Sequence, residues 1–365
     1  MFVAWRDLRH ARGRFVLIAA VVALITLLVG FLAGLTGGLA AQNVSAVLGL
    51  PGSRLVLQQP SSGQPSFSES TVNADTVAAW RATGGVDGVV PIGIVQGRAQ
   101  GVETSSAATG TPVGVALFGL PHDAPRSAVS DLAPARDDQV GLSAGAAEDL
   151  GVSAGGHVTI TGSTYRVASV GVDAWYSHTP VVAMTPNAWA AADQRLGGDG
   201  EATVLAVRGD PDWDAAADRT HTAADAPLLS LGALETFKSE VGSLALMIAM
   251  LFGVSALVVG AFFTVWTMQR AGDVAVLKAL GASTGSLVRD ALGQALVVLV
   301  TGIGVGMLAV VGLGALAGGA LPFLLSPLTT LVPALAMAVL GLAGAAVALR
   351  TVTATDPLTA LGSNR

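Results

Sequence analysis

The chain has 365 residues, 52% hydrophobic and only 12% charged, with a mean hydropathy of +0.64 and no cysteine. A soluble domain carries about 25% charged residues, which argues against a purely soluble enzyme. The missing cysteines exclude disulfides, thiolate metal sites and a cysteine nucleophile, and a net charge of −6 gives no basis for a nucleic-acid partner.

Along the chain, the apolar residues separate sharply from the charged ones. Residues Phe15–Ser53, Val241–Gln269 and Ala291–Leu349 contain no charge. A membrane-spanning helix needs about 20 apolar residues. The first two runs each hold one span. The third is roughly twice the length of one span and carries Pro322 and Pro327 near its middle. It reads as two helices, near Ala291–Gly318 and Leu328–Leu349, joined by a short turn. The first apolar stretch exceeds the 7–15 residues of a signal-peptide core, so it reads as a retained anchor despite the small residues Leu39-Ala40-Ala41 behind it.

Basic residues set the expected orientation. Arg6, Arg9, Arg12 and Arg14 precede the first span, Arg270, Lys278 and Arg289 lie between the second and third, and Arg350 follows the fourth. The expected division is a cytoplasmic N-terminus (1–14), helix 1 (15–42), an acidic extracytoplasmic domain (43–238), helix 2 (239–269), a cytoplasmic loop (270–290), helices 3 and 4 (291–349) and a cytoplasmic tail (350–365).

The segment between the first two spans is long enough for its own core. Strands are expected at Arg54–Gln58, Val89–Gln96, Val113–Gly119, Val181–Met184 and Ala202–Val207. A hairpin is expected from His157–Thr161 and Tyr165–Val170. Helices are expected at Ser143–Leu150, Asn187–Arg195 and Trp213–Arg219, the first capped by Ser143 and stopped by Gly151. The mixture predicts an α+β domain. Ser61–Ser70, rich in Ser, Gln and Pro, reads as a mobile loop. The histidines have no zinc-binding spacing, and Asp210, Asp212 and Asp214 lack the Gly and distal Glu of a calcium loop. They read as a solvated turn.

On the cytoplasmic side, Val274, Leu277, Lys278, Leu280 and Gly281 suggest a short amphipathic helix ended by glycine. Such a helix either rests on lipid or docks into a partner's groove. No P-loop is present, so any nucleotide-driven step needs another subunit. The spans carry no charged residue, which argues against an ion-coupled carrier. The spacings Gly30/Gly34/Gly38, Gly302/Gly306 and Gly314/Gly318 permit close helix packing, although glycine-rich usage alone also produces them.

One span, a large outer domain and three further spans resemble the FtsX-like/MacB-like permeases of ABC transporters. Met268-Gln269-Arg270 with Val276-Leu277-Lys278-Ala279-Leu280-Gly281-Ala282 is similar to that family's coupling-helix region. Asp356-Pro357-Leu358-Thr359-Ala360-Leu361-Gly362 is similar to its terminal motif. A narrower resemblance, to haem-exporter permeases of the HrtB type, rests on several segments. These are Ala4-Trp5-Arg6-Asp7-Leu8, Gly34–Ala40, Asn43-Val44-Ser45, Tyr165-Arg166-Val167, Asp173-Ala174-Trp175-Tyr176-Ser177-His178 and Ala261-Phe262-Phe263.

The resemblance implies a type VII permease in the plasma membrane: four transmembrane helices and a large extracytoplasmic α+β domain. It implies no catalytic site and no intrinsic cofactor. It also implies a homodimer in membrane lipid, served by two copies of an ABC ATPase that supply ATP and Mg chemistry, with haem as substrate. Haem needs an apolar slot and an iron ligand. On this reading Glu240 stands where similar permeases carry a glutamate, with Phe237 and Leu244 on its helix face. Glu235 and Lys238 flank it, the latter suited to a propionate. Tyr176 and His178 line or gate the pocket, or form a strand end in the outer core. Met247 and Met250 read as filler. Val274, Leu277, Lys278, Leu280 and Gly281 would couple to the ATPase. Export of another amphiphile (a lipid, peptide or lipoprotein) and a non-transporting mechanotransmission role remain as alternatives.

Overall fold

The computed structural model describes residues 12–102, 111–269, 283–317 and 321–353, together with residue 272. Two compact units emerge: a helical one from Met1–Gly38 and Gly242–Arg365, and an α+β one from Leu39–Val241.

In the helical unit, helix α1 begins at Arg12 and runs to Leu48, so its last turns belong to the other unit. Its 37 residues make a rod of about 55 Å, well beyond the roughly 30 Å of a bilayer core. The other three long helices, named α7, α8 and α9 in chain order, cover Glu235–Gln269, Thr284–Ala317 and Pro327–Thr353. All four are long and apolar enough to cross a membrane. Pro327 opens α9, where a missing N–H costs nothing. Just before it, Ser326 and Thr329 cap reciprocally: the Thr329 amide donates to Ser326 Oγ at 3.2 Å, and the Ser326 amide donates to Thr329 Oγ1 at 3.0 Å.

The unit's core contains Phe15, Ile18, Val22, Val298, Leu299, Ile303 and Met337. Two glycines make the close approaches possible. A side chain at Gly306 would meet the Ala23 carbonyl oxygen at 2.6 Å, and one at Gly38 would run into the Pro322 carbonyl. The small-residue spacing is therefore used in packing. Outward-facing leucines such as Leu308 and Leu316 are 75% and 83% exposed, as a lipid-facing surface requires.

The α+β unit is built on strands β1 (Arg54–Gln58), β2 (Val86–Val102), β3 (Val113–Gly119), β4 (Gln139–Leu142), β5 (His157–Ile160), β6 (Ser163–Val170), β7 (Trp175–Tyr176), β8 (Thr179–Met184), β9 (Val204–Gly209) and β10 (Thr222–Asp225). Their order is β10-β1-β9-β2-β3-β8-β4-β6-β5, with β7 on β8. The far end of β2 also pairs with β5, which closes β2-β3-β8-β4-β6-β5 into a ring. Helices α2 (Ala74–Arg81), α3 (Ala144–Leu150), α4 (Pro186–Leu196), α5 (Trp213–Thr220) and the single turn α6 (Pro227–Ser230) complete the unit.

Strand alternation explains why the sequence shows continuous apolar runs. In β3, Ala116 and Phe118 face one core while Val115 and Leu117 face the ring interior. In β8, Val181 and Ala183 face the first and Val182 and Met184 the second. In β1 and β9, Leu55, Leu57, Val204 and Ala206 join that first core. Val56, Leu205 and Val207 pack instead with Trp80 of α2 and Ala216 of α5. Strands buried on both faces lose the polar half of the period-2 pattern.

The shared core also takes in Val44, Ala46 and Val47 from the end of α1 and Leu234 from just before α7. The unit therefore extends past the expected 43–238 at both ends, because it borrows the last turns of α1 and the first turn of α7. The expected helices are present, with Ser143, Thr185 and Asp212 capping α3, α4 and α5 through side-chain oxygens, each cap worth about 1 kcal/mol. Asp212 is thus a cap within a solvated turn. β2 is twice as long as expected. Residues 61–64 are exposed, as a loop would be, but Ser66, Phe67 and Ser70 are buried. Phe67 is in the core, and the buried Ser70 hydroxyl donates to the Thr203 carbonyl at 2.7 Å. A single large anchor outweighs the polar composition around it.

Candidate functional site

The most concentrated polar contacts among the predicted residues lie where the β7–β8 hairpin turn meets the first turns of α7 and the last turns of α1, all within the α+β unit. Tyr176 pairs with Thr179, so Ser177 and His178 form a two-residue hairpin turn. Both have positive φ, 46° and 62°, the pattern of a type I′ turn, which favours Asn-Gly. Two L side chains in this region cost about 1 kcal/mol or more each. Three contacts brace them. The Ser177 and His178 amides donate to the carbonyls of Asn43 (3.0 Å) and Gln42 (3.1 Å) near the end of α1. Gln96 Nε2 donates to the Ser177 carbonyl at 3.5 Å.

The turn delivers the His178 imidazole to α7. His178 Nε2 lies 2.9 Å from both carboxylate oxygens of Glu240. Asn43 Nδ2 donates to Glu240 Oε2 at 3.2 Å, and Thr236 Oγ1 donates to Asn43 Oδ1 at 3.0 Å. Ser177 Oγ and Thr236 Oγ1 are 3.1 Å apart. The His178 and Glu240 side chains remain 31% and 40% exposed. An imidazole and a carboxylate thus stand together, held yet open to solvent, immediately before the charge-free run of α7.

The other predicted residues divide around this pair. Lys238 is exposed and donates to Gln64 Oε1 at 3.2 Å. Glu235 is exposed in the first turn of α7. Phe237 is half-buried and packs on the domain core. Tyr176 belongs to that core, edge-on to Phe118 and Phe67 with centroids 5.8 and 6.3 Å away. Burial pushes its phenol well above the ordinary tyrosine range. Of the two roles weighed for Tyr176, its placement matches the core position. His178, two residues on, reaches the open site. Val274, Leu277, Lys278, Leu280 and Gly281 lie outside the described residues. Among the described residues, no group of three or more His, Asp or Glu is arranged to hold a metal ion.

Sequence reasoning missed Asn43, Thr236 and Ser177 as members of the cluster. Gln42-Asn43, an amide pair inside a charge-free apolar run, was the available signal.

Comparison with known proteins finds a family match in the C-terminal part of the chain and relatives along its whole length. Residues 245–357 match the FtsX-like permease C-terminal model. A protein named as the hemin transport system permease HrtB, from Staphylococcus haemolyticus, is 24% identical over 374 residues, covering 99% of both chains. An ABC transporter permease from Mycobacterium tuberculosis is 25% identical over 383 residues, again covering 99% of both. The periplasmic region of MacB from Actinobacillus actinomycetemcomitans aligns at 11% identity and a TM-score of 0.34, over 50% of this chain and 92% of that one. The C-terminal helices thus match the FtsX-like permease model, and the whole chain is similar from end to end to permeases of ABC transporters.

Proposed function

We propose that this permease is the membrane subunit of an ATP-driven exporter that takes haem from the outer leaflet. The observation that carries the reading is the His178–Glu240 pair. A nitrogen and an oxygen ligand of kinds that bind iron stand half-exposed at the head of an apolar helix. Glu240 and His178 are the ligand candidates, Lys238 suits a propionate, and Glu235 adds a second carboxylate one turn earlier. Phe237 and Tyr176 back the site from the core. The end-to-end likeness to permeases named for hemin transport supports the same substrate class.

In this reading the arginines before and at the start of α1 and Arg350 near the end of α9 lie in the cytoplasm and the α+β unit lies outside the plasma membrane. Two permeases form a homodimer. Two copies of a separate P-loop ATPase supply ATP hydrolysis and act on the loop that holds Val274, Leu277, Lys278, Leu280 and Gly281.

The test is reconstitution of the full-length permease with its cognate ATPase. Haemin should stimulate ATP hydrolysis, and the purified permease should develop a Soret band that weakens in Glu240→Ala and in His178→Ala. Failure of haemin to bind or stimulate, with stimulation by a lipid, peptide or lipoprotein instead, would overturn the haem assignment and leave the permease class standing.

A further inference from the structure

The cluster contains one residue that bonds to all of its parts. Asn43 is 1% exposed, and three of its polar groups reach other elements. Its main-chain carbonyl accepts from the Ser177 amide. Its side-chain Nδ2 donates to Glu240, and its Oδ1 accepts from Thr236. The amide orientation follows from chemistry: turned over, it would set its oxygen against the Glu240 carboxylate. Because Thr236 donates to Asn43, the Ser177 hydroxyl must donate to Thr236. A directed chain thus runs from Ser177 through Thr236 and Asn43 to Glu240.

Only a short primary amide fits this place. Aspartate offers acceptors alone when ionised and would face the Glu240 carboxylate. Alanine or leucine would remove both side-chain hydrogen bonds, to Glu240 and from Thr236.

The geometry points to Asn43 as a positioning residue for substrate capture. It holds the Glu240 carboxylate and the Ser177–His178 turn in one arrangement, so that both ligand candidates face the same incoming molecule. The inference rests on the haem reading for the identity of that molecule and on the hydrogen bonds alone for the role of Asn43. Groups that orient a metal ligand typically change metal affinity by about 10–100-fold when replaced.

The experiment uses the full-length permease and two readouts. In the first, haemin is titrated into wild type and Asn43→Asp and followed at the Soret band. Affinity should fall by about 10–100-fold in the variant. In the second, the melting temperature of the haemin-free protein is measured for wild type, Asn43→Asp, Glu240→Gln and the double variant. Asn43→Asp should lower it. Adding Glu240→Gln should restore most of the loss, because the side-chain amide introduced at position 240 can donate to the new carboxylate at position 43.

If Asn43→Asp fails to fold but the double variant folds, the same coupling is demonstrated. A loss of stability that Glu240→Gln does not restore, or failure of both variants to fold, would assign Asn43 to packing alone and overturn the inference. So would haemin affinity in Asn43→Asp equal to wild type. If wild type binds no haemin, the haem reading falls, while the melting cycle still decides whether Asn43 holds Glu240.

Discussion

The α+β unit contains two hairpins closed by two-residue turns of the same handedness, and they differ in what the turn carries. Thr161 and Gly162, between β5 and β6, have φ of 46° and 81°. Ser177 and His178, between β7 and β8, have 46° and 62°. The first turn places glycine where a left-handed conformation is free of a Cβ clash. The second spends two side chains on the same backbone. Its strain is maintained by backbone hydrogen bonds to the carbonyls of Gln42 and Asn43, and what it gains is the imidazole on Glu240. Non-glycine residues in this region gather at functional sites when surrounding structure holds them there. Here the inference runs from the observed angles to a role, and the ordinary hairpin nearby is the internal control.

The largest expected effect separates strain from function. In His178→Gly the turn relaxes by about 1 kcal/mol and the contact with Glu240, worth about 1 kcal/mol, is lost. The melting temperature should therefore stay within a few degrees of wild type. Haemin affinity, read at the Soret band, should fall by about 10–100-fold. The mirror experiment is Gly162→Val. No atom lies within 4 Å of a Cβ built there, so the cost is backbone strain alone, about 1–2 kcal/mol. Thermal unfolding should show that loss, with haemin affinity unchanged. If both variants behaved alike in both assays, the distinction between the turns would fail.

The sequence carried most of the fold and part of the site. Strands β1 and β3 stand where their apolar runs predict, as do the capped helices, because local pattern and burial agree there. β2 was half hidden. Pro91, Gly93, Gly97 and Gly101 punctuate it, and one use of glycine is visible only in three dimensions: the Trp189 ring lies against Gly93. Glu240 and His178 came from family-like runs. The turn that joins them has no Asn-Gly signal, so a hairpin was not legible at Ser177–His178. Asn43 stood in a family-like run and as an amide in an apolar stretch, but its role was not legible, because its partners are 134 to 197 positions away in the chain.

Tyr176 and Ile160 hold the same register position, each the last residue before its turn, and both are buried. Only Tyr176 titrates. Its folded pKa lies above the ordinary value of 10.0, so the folded state holds the proton more tightly than the unfolded chain. That contribution is intact below pH 10 and is lost as pH rises from there through the folded pKa. Each unit of pH in this window should remove about 1.4 kcal/mol. Alkaline unfolding monitored by circular dichroism should show the slope in wild type and a shallower one in Tyr176→Phe. Equal slopes would mean that the core does not hold Tyr176 protonated.

The smallest effect is expected from Ser177→Asn, and its sign is the informative part. Asparagine tolerates the left-handed region better than serine and is the preferred first residue of this turn. The substitution should recover about 0.5–1 kcal/mol of turn strain. It also removes the Ser177–Thr236 hydroxyl contact, an exposed bond near the lower end of the usual 0.5–1.5 kcal/mol range. A net gain of about 0.5 kcal/mol or less follows, measurable as a slightly raised denaturant midpoint. The turn would then be locally suboptimal at both of its positions, Ser177 for the hydroxyl that leads to Asn43 and His178 for the ring that meets Glu240. A clear loss of stability would instead show that the hydroxyl chain outweighs the backbone preference, and that the two hairpins differ in how they are held as well as in what they carry.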